Sequence, residues 1–507
     1  MPRRSRSVDM VEPRLRPATA TDPMSARTGA LVLCGLTLLG AAVRAFRLDA
    51  GLWYDEIVTL VVAVRLPIER LLTEYPTNNH HPLYSLLGHV SIGLFGEQAW
   101  SLRLPAYVFG VASIPMLYRL GTLVSVRLEA VLAAGLLSVS YHHVWFSQNA
   151  RGYTALMFWT LLCTDLLLRG LATGRVGWYV GYAIAAALGA YTHLTMGFVV
   201  AAHGLWCAWR FGVVRASGQR CDWGPAGLGF GLTAALTLGM YGPLVVDVQR
   251  FFASPPTVGT EVATRRWALL AALRSFEVSL GTLGALIGGL LLVVGLWSYL
   301  RRDRQSAALF VLPGLLTVVG IIVLQRPTYP RFFFFLIGFG TLAVVRGARV
   351  VGAWAAAAGG GQGRAALGAA MGTGLALVLI VVSATSLGAV YRYPKQDFQG
   401  ALEFVERARG PRDAVAVTGT AAFPYRRYFD RPWEEVETAA QLEAAAARAE
   451  RVWVLYTFPR YIEVDAPGLM ALIRRDCEIM RTFRGTVGGG DVVVCTLGPP
   501  LRESARP

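Results

Sequence analysis

Apolar stretches close to 20 residues long follow one another through most of the first 390 residues of this 507-residue chain. A helix needs about 20 mainly apolar residues to cross the hydrocarbon core of a bilayer, which is about 30 Å thick. The pattern therefore predicts a polytopic α-helical membrane protein with eleven spans, at 28–46, 100–119, 128–147, 153–168, 176–192, 195–212, 226–246, 281–300, 306–324, 333–350 and 366–389.

One further apolar segment, residues 82–97, is too short to cross a bilayer comfortably. A span at this place would also invert the orientation of every later loop. We therefore expect a juxtamembrane helix within the first outer loop, residues 47–99, that lies on the outer face of the membrane or dips into it.

The character of the sequence changes after residue 390, where the charge content becomes that of an ordinary soluble domain. Short alternating runs at 414–419, 451–456 and 491–497 predict strands, because alternation of apolar and polar residues matches the two-residue period of a strand. Helical patterns lie between them, at 397–408 and 438–449. We expect residues 391–507 to form a small extracytoplasmic α/β domain.

Composition agrees with a membrane protein, since 54% of the residues are hydrophobic and 16% are charged, against about 25% charged in an average soluble domain. This excludes a disordered or fibrous protein and disfavours a soluble one. The formal net charge is +16, and almost all of the positive charge is arginine, with Lys395 as the one lysine.

The arginines predict the orientation of the chain. They gather in a basic tail at 1–27 and in alternate loops, which are all inner loops if the tail is cytoplasmic; this is the positive-inside pattern. The exception is the outer 247–280 loop, which also carries arginines. The basicity is thus explained mostly by topology, without a nucleic-acid partner, and predicts a multi-pass protein of the cytoplasmic membrane.

Two adjacent acids, Asp55 and Glu56, stand in the first outer loop beside Trp53 and Tyr54. Carboxylates favour the first turn of a helix, so both acids can be explained as helix caps. The functional alternative is a general base at the membrane surface, where partial burial raises the pKa of a carboxyl group.

Histidines gather near the same boundary, although the chain has only seven. His80 and His81 lie in the run TNNHHPLY, which also holds Asn79 and Tyr84; the others near the outer ends of spans are His142, His143 and His193. No spacing of metal ligands such as H-E-x-x-H accompanies them. A structural or interfacial role is therefore favoured over a metal site.

Arginine also occurs at two outer turns, where the positive-inside pattern does not call for it. Arg151 and Tyr153 lie in one turn, and Arg326, Tyr329 and Arg331 lie in the other. Such arginines can snorkel to the headgroups, and such tyrosines can belong to the aromatic belt. An anionic target, such as a lipid phosphate, is the functional alternative, because guanidinium groups bind phosphate bidentately.

Taken together, the order and spacing of these motifs resemble the GT-C superfamily of glycosyltransferases, on the family-39-like branch. That branch holds protein O-mannosyltransferases and the lipid A aminoarabinose transferase. The resemblance covers most of the chain and rests on the segments Leu52–Glu56, His81–Tyr84, Leu94–Gly96, Arg103–Pro105, Ser147–Tyr153, Tyr191–His193, Pro330–Phe332 and Pro394–Phe398.

The resemblance implies a GT-C fold and an inverting transferase that uses a polyprenyl-phosphate sugar. Asp55 would then deprotonate an acceptor hydroxyl, and Glu56 would orient the acceptor or share that role. The acceptor would be a glycan, a glycolipid or a protein. Neither a cofactor nor a metal ion is implied.

The leaving phosphate requires positive or hydrogen-bonding groups near it. By resemblance, these are Arg151, Arg331, His81 and Tyr153; relatives often have Arg-Tyr where this chain has Arg331-Phe332. The same resemblance assigns substrate contacts to Tyr54, Asn79, His80, Tyr84, His193 and Tyr329.

Two other functions remain open from the sequence, a lipid flippase or other transporter and a membrane-anchored scaffold. A transporter needs polar groups at the middle of the membrane, and Asp165 is one of few candidates. Cys477 and Cys495 both fall in the outer domain, where an oxidising compartment would permit a disulfide. Two unpaired thiols are the alternative.

Overall fold

The computed structural model of the chain describes residues 22–77, 80–218, 222–253, 264–358 and 363–498. Asn79 and most of the predicted basic tail lie outside these ranges. Among the described residues, nine helices are long and apolar enough to cross a membrane: Ala26–Ala45, Ala99–Val124, Tyr153–Thr173, Met196–Ala216, Gly224–Arg250, Leu280–Arg302, Arg304–Val323, Pro330–Ala358 and Arg364–Arg392. The predicted class of polytopic helical membrane protein is confirmed.

Two of the eleven predicted spans form shorter helices. Residues 176–192 form one 17-residue helix, Val176–Thr192. The segment predicted at 128–147 is divided into Arg127–Ser138 and Tyr141–Ser147. The division lies where the buried Arg44 side chain donates to the carbonyl oxygens of Leu137 and Ser138, at 3.0 and 2.8 Å. In a continuous helix, these carbonyl oxygens would instead accept hydrogen bonds from backbone N–H groups of the next turn.

The nine spans contain bends as well as straight helix. Residues 224–250 comprise Gly224–Tyr241, a 3₁₀ turn Gly242–Leu244 and the start of Val245–Ala253. The helix Arg265–Arg302 bends at Gly281. The φ of Gly281 is 69°, a backbone conformation that residues with a side chain rarely adopt. Residues 330–358 comprise a 3₁₀ segment, Pro330–Leu336, followed by Ile337–Ala358, and the last span comprises Arg364–Thr385 and Leu387–Arg392.

The first outer loop is built from short helices. Tyr54–Val58 continues into a π-helix, Thr59–Val64, and is followed by Ile68–Thr73 and Pro82–Phe95. The helix predicted at 82–97 is thus present, with Pro82 in its first turn, where its fixed φ suits helix initiation. It packs on Ala99–Val124, and its Tyr84 hydroxyl donates to the Leu102 carbonyl at 2.7 Å.

The C-terminal region contains a five-stranded mixed sheet with the strand order β2-β1-β3-β5-β4. The strands are β1 (Ala414–Val417), β2 (Glu434–Glu435), β3 (Val452–Tyr456), β4 (Glu478–Phe483) and β5 (Val492–Leu497). β1 is parallel to β2 and β3, whereas β5 is antiparallel to β3 and β4. The sheet is accompanied by the helices Phe398–Ala408, Ala439–Arg448, Pro459–Asp465 and Pro467–Asp476.

The three predicted strands are confirmed as β1, β3 and β5, and the two predicted helices as Phe398–Ala408 and Ala439–Arg448. Cys477 and Cys495 form a disulfide, with their Cα atoms 5.6 Å apart. The bridge joins the residue before β4 to β5, so the alternative of two free thiols is not what the structure shows.

The sheet domain and the first outer loop share one hydrophobic core. Leu52, Ile57 and Leu60 of the loop belong to the same buried cluster as Phe398 and Trp453 of the domain. Gln396 reinforces this contact, because its buried side chain accepts from the Tyr54 backbone N–H at 2.9 Å and donates to the Thr457 hydroxyl at 3.0 Å. The domain is therefore packed directly against the residues that surround Asp55.

Candidate active site

Asp55 lies in the first turn of the helix Tyr54–Val58, close to Arg331 from the 3₁₀ segment Pro330–Leu336. The Asp55 Oδ2 and Arg331 Nη1 atoms are 3.4 Å apart. Among the described residues, this oxygen has no hydrogen-bond partner, although it is buried. The predicted base and one predicted phosphate ligand are thus neighbours, although 276 positions separate them in sequence.

Glu56 has a different environment, because its carboxylate is completely enclosed and held by four donors. Arg103 donates to both oxygens, at 2.7 and 2.6 Å, and the backbone N–H groups of Ala150 and Trp53 donate at 2.7 and 3.3 Å. Burial opposes the charge, but the cations of Arg103 and Lys395 and the hydrogen bonds outweigh it and hold the pKa of Glu56 below its usual range. The helix-cap interpretation therefore describes Glu56, whereas Asp55 carries no such clamp.

Arg151 forms the second cationic centre of the site, together with His81. One Arg151 nitrogen donates to the Thr59 hydroxyl at 2.8 Å, and Nη2 lies 2.8 Å from His81 Nε2. His81 Nδ1 accepts from the Gly152 N–H at 3.1 Å, so the proton of a neutral ring is on Nε2. Burial first, and Arg151 next, place the pKa of His81 well below its usual value, which keeps the ring neutral.

The tautomer of His81 has a consequence for binding. Both His81 Nε2–H and the Arg151 guanidinium are donors, so neither can satisfy the other at their 2.8 Å separation. An oxygen that carries negative charge can accept from both. The Arg151–His81 pair can therefore donate to a shared anionic oxygen, and the phosphate site expected there stays a prediction.

His193 and Tyr153 lie beside this pair. The His193 ring centroid is 4.9 Å from that of His81, and the Tyr153 centroid is 5.2 Å from His81. His193 Nδ1 accepts from the Thr195 hydroxyl at 2.7 Å, and burial, followed by Arg151 and Arg331, lowers the pKa of His193 to about 3. The buried Tyr153 hydroxyl has no hydrogen-bond partner among the described residues.

His80 and Tyr329 flank the cluster on different elements. His80 packs edge-on against Tyr75, with ring centroids 5.2 Å apart, and burial lowers the pKa of His80 to about 3. The Tyr329 ring lies 4.3 Å from the Arg331 guanidinium, within cation–π distance. Its hydroxyl is 2.9 Å from the hydroxyl of Tyr461 in the C-terminal domain.

Two predicted substrate residues have other contacts. The Tyr84 hydroxyl donates to the Leu102 carbonyl within the shared core and so links two helices, and the substrate contact expected of Tyr84 stays a prediction. Tyr54 is half-buried beside Asp55, and burial first, then Asp55, raises the pKa of its phenol to about 12. Asn79 lies outside the described residues.

Several residues around the site were not singled out as functional from the sequence. Arg103 entered only as part of a motif, yet an arginine at the outer end of an apolar helix needs a partner, and Glu56 is that partner. Lys395 donates to the Gln148 carbonyl and lies 5.3 Å from the Trp145 ring. Burial, followed by Arg103, lowers the pKa of Lys395 to about 7, against the effect of Glu56.

The candidate site brings together the Asp55 carboxylate, the guanidinium groups of Arg151 and Arg331, and neutral histidine rings. Within the described ranges, no three His, Cys, Asp or Glu side chains are grouped closely enough to hold a metal ion. The chemistry available to these residues is proton transfer by Asp55 and stabilisation of an anion by Arg151, Arg331 and His81.

Residues 79–221 match the model of the dolichyl-phosphate-mannose-protein mannosyltransferase family. This segment contains His80, His81, Arg151, Tyr153 and His193, whereas Asp55 and Arg331 lie outside it. No curated protein matches the chain in sequence.

Solved structures of similar fold cover nearly the whole chain. ArnT from Cupriavidus metallidurans in the apo state has a TM-score of 0.52 at 15% identity, over 94% of this chain and 100% of that one. The same protein bound to undecaprenyl phosphate gives 0.50 at 13% identity, with the same coverage. The Archaeoglobus fulgidus oligosaccharyltransferase tethered to an acceptor peptide gives 0.53 at 13% identity, over 92% of this chain and 74% of that one.

The structural likeness establishes the fold, because it extends over more than nine-tenths of the chain. The family match supplies the sequence relationship in the segment that holds the histidines and Arg151. The chain therefore has the fold of these membrane proteins, and its residues 79–221 are similar in sequence to the dolichyl-phosphate-mannose-protein mannosyltransferases.

Proposed function

We propose that this enzyme transfers a sugar from a polyprenyl-phosphate donor to an acceptor hydroxyl at the outer face of the cytoplasmic membrane. The transfer inverts the configuration at the anomeric carbon. The observation that carries the proposal is the pairing of Asp55 with Arg331 beside the converging donors of Arg151 and His81. A base and an anion site must be adjacent in such a reaction, because the attacked carbon lies between the acceptor oxygen and the leaving phosphate.

Asp55 is the base in this proposal. It takes the proton of the acceptor hydroxyl while the acceptor oxygen forms a bond to the anomeric carbon. The bond between that carbon and the phosphate oxygen breaks, and the electron pair leaves with the polyprenyl phosphate. Glu56 does not share this role, because Arg103 and two backbone N–H groups already donate hydrogen bonds to its two carboxylate oxygens. Glu56 fixes the position of Asp55 instead.

The leaving phosphate is bound by Arg151, Arg331 and the neutral His81, with the Tyr153 hydroxyl as a further donor. Guanidinium donors close to developing phosphate charge stabilise the transition state. Arg331 contacts Asp55 at 3.4 Å, which is longer than a strong charge-assisted bond of about 2.8 Å. A donor phosphate therefore competes favourably for Arg331 and leaves the Asp55 carboxylate available to the acceptor.

The outer location of the site is supported by the arginine pattern and by the disulfide. With the tail at 1–27 cytoplasmic, the first outer loop and residues 391–507 both lie outside, and the module at 28–390 spans the membrane. The bridge between Cys477 and Cys495 suits an oxidising compartment. The polyprenyl chain stays in the bilayer, since each CH₂ that leaves it costs about 0.8 kcal/mol.

The decisive experiment uses the full chain in lipid nanodiscs. Binding of undecaprenyl phosphate is compared with binding of undecaprenol, and release of undecaprenyl phosphate from undecaprenyl-phosphate mannose is measured in membranes of the host that supply acceptors. We expect tight binding that depends on the phosphate, and release that the Asp55→Asn variant lacks. Equal affinity for undecaprenol and undecaprenyl phosphate, or release that persists without Asp55, would refute the assignment.

A further inference from the structure

The loop Thr457–Tyr461 of the C-terminal domain contacts the candidate site at two points. It consists of Thr457 and Phe458, which follow β3, and of the first three residues of the helix Pro459–Asp465. Phe458, the residue directly before the helix, has a φ of 49°, in the left-handed region that a bulky residue rarely adopts. Such backbone strain persists only where surrounding contacts impose it, and it is concentrated at functional sites.

The first contact passes through Tyr461 and Tyr329. Their hydroxyl groups are 2.9 Å apart, and the Tyr329 ring lies 4.3 Å from the Arg331 guanidinium. Arg331 in turn approaches Asp55 at 3.4 Å. A tyrosine ring that is held at its hydroxyl presents its face to the cation in one orientation, so Tyr461 restricts where Arg331 can lie.

The second contact passes through Thr457 and Gln396. The Gln396 amide donates to the Thr457 hydroxyl at 3.0 Å, and its carbonyl accepts from the Tyr54 N–H at 2.9 Å. Thr457 and Gln396 are both buried, and Tyr54 is the residue directly before Asp55. This contact holds the backbone that carries the Asp55 carboxylate.

The two contacts end on opposite members of the Asp55–Arg331 pair, although they begin only four residues apart in the loop. We infer that Thr457–Tyr461 is a positioning loop, through which the C-terminal domain sets the geometry of the base and its arginine. The inference rests on the proposed function and extends it, since the domain acts on the reaction without touching the reacting atoms.

The test compares Tyr461→Phe, Tyr329→Phe and the double variant with Tyr456→Phe as a matched control. Tyr456 lies in the same domain, but it belongs to the core cluster on the other face of the sheet. Each full-length variant is measured in nanodiscs for its affinity for undecaprenyl phosphate and its thermal unfolding. Turnover of undecaprenyl-phosphate mannose is measured in host membranes.

Loss of one hydrogen bond changes an equilibrium by about fivefold. We expect kcat to fall by about that factor in Tyr461→Phe and in Tyr329→Phe, with a similar loss of undecaprenyl phosphate affinity. The double variant should be no worse than either single variant, because both remove the same bond. Thermal unfolding should match that of Tyr456→Phe, which separates positioning from general stability.

The outcomes distinguish the two proposals. A wild type that binds and transfers, while Tyr461→Phe behaves like Tyr456→Phe, overturns the positioning loop and leaves the proposed function intact. Additive losses in the double variant overturn it as well, because the two hydroxyls then act independently. A wild type that neither binds undecaprenyl phosphate nor releases it refutes the proposed function, and the positioning loop with it.

Discussion

Arg103 holds both carboxylate oxygens of Glu56, at 2.7 and 2.6 Å, and neither side chain is accessible to solvent by more than 1%. A buried ion pair of this kind is far more sensitive to the loss of one partner than to the loss of both. The survivor remains as an uncompensated charge away from water. The pair also distinguishes the two adjacent acids, because Glu56 is held at both oxygens by Arg103, whereas Asp55 Oδ2 lies 3.4 Å from Arg331.

We expect Arg103→Met to lower the stability of the protein strongly, by about 3–5 kcal/mol, because it leaves the Glu56 charge unpaired. The matched control is Arg65→Met, which removes a bidentate partner of Glu97 at side chains that are 37% and 43% exposed. Exposed pairs contribute about 0–1 kcal/mol. Thermal unfolding in nanodiscs measures both, and equal shifts for the two variants would contradict the structural role of the buried pair.

Asp55→Asn is expected to reduce transfer by about 10²–10⁴-fold, the range in which general bases contribute. Binding of undecaprenyl phosphate should be retained, because the substitution removes a negative charge beside Arg331 rather than a donor. Asp49→Asn, an exposed acid of the same loop, serves as the control and should transfer normally. Turnover close to that of wild type in Asp55→Asn would remove this residue from the reaction.

Arg151→Ala and Arg331→Ala should each weaken undecaprenyl phosphate binding by about 10–100-fold, since hydrogen bonds to charged groups contribute about 1.5–3 kcal/mol. Arg266→Ala provides a comparison at an exposed position that precedes a membrane span. Binding isotherms for the three variants in the same nanodiscs give the answer. If both site variants bind as tightly as Arg266→Ala does, the phosphate lies elsewhere.

Lys395 predicts a pH dependence of stability. Its pKa is about 7 in the folded protein against 10.5 for an ordinary lysine, so the unfolded chain binds more protons between these values. Stability should therefore rise with pH from about 7 to about 10.5, by at most about 1.4 kcal/mol per pH unit. Lys395→Met should lack this contribution, and unfolding midpoints of both proteins between pH 7 and 9 would show it. Parallel curves would mean that the amine is charged throughout.

Much of the fold could be predicted because its signals are local. Hydropathy marks a span within its own 20 residues, and alternation marked β1, β3 and β5. β2 and β4 escaped prediction, since β2 consists of two exposed glutamates and β4 carries charges along a largely exposed edge. The helix break after Ser138 was equally hidden, because the side chain that caps it, Arg44, lies 94 positions away.

The site shows the same division between local and distant information. Residue type and position drew attention to Asp55, Arg151 and Arg331, and the family resemblance added His81; the structure brings these side chains close together. The hydrogen-bond partners of these side chains could not be predicted. Nothing near Glu56 in sequence indicates that Arg103 neutralises it, and nothing near Tyr84 indicates that it binds Leu102. The contribution of Tyr461 depends on a contact across 132 positions.

The shared core of the first outer loop and the C-terminal domain has a consequence for biosynthesis. Leu52, Ile57 and Leu60 emerge early, yet their partners Trp453 and Val492 are made about 400 residues later. At about 5–20 residues per second, the loop waits on the order of 20–90 s with apolar surface uncovered. During that interval the uncovered loop can be bound by chaperones or cleaved by proteases, and a chain that stops near residue 390 keeps it exposed permanently.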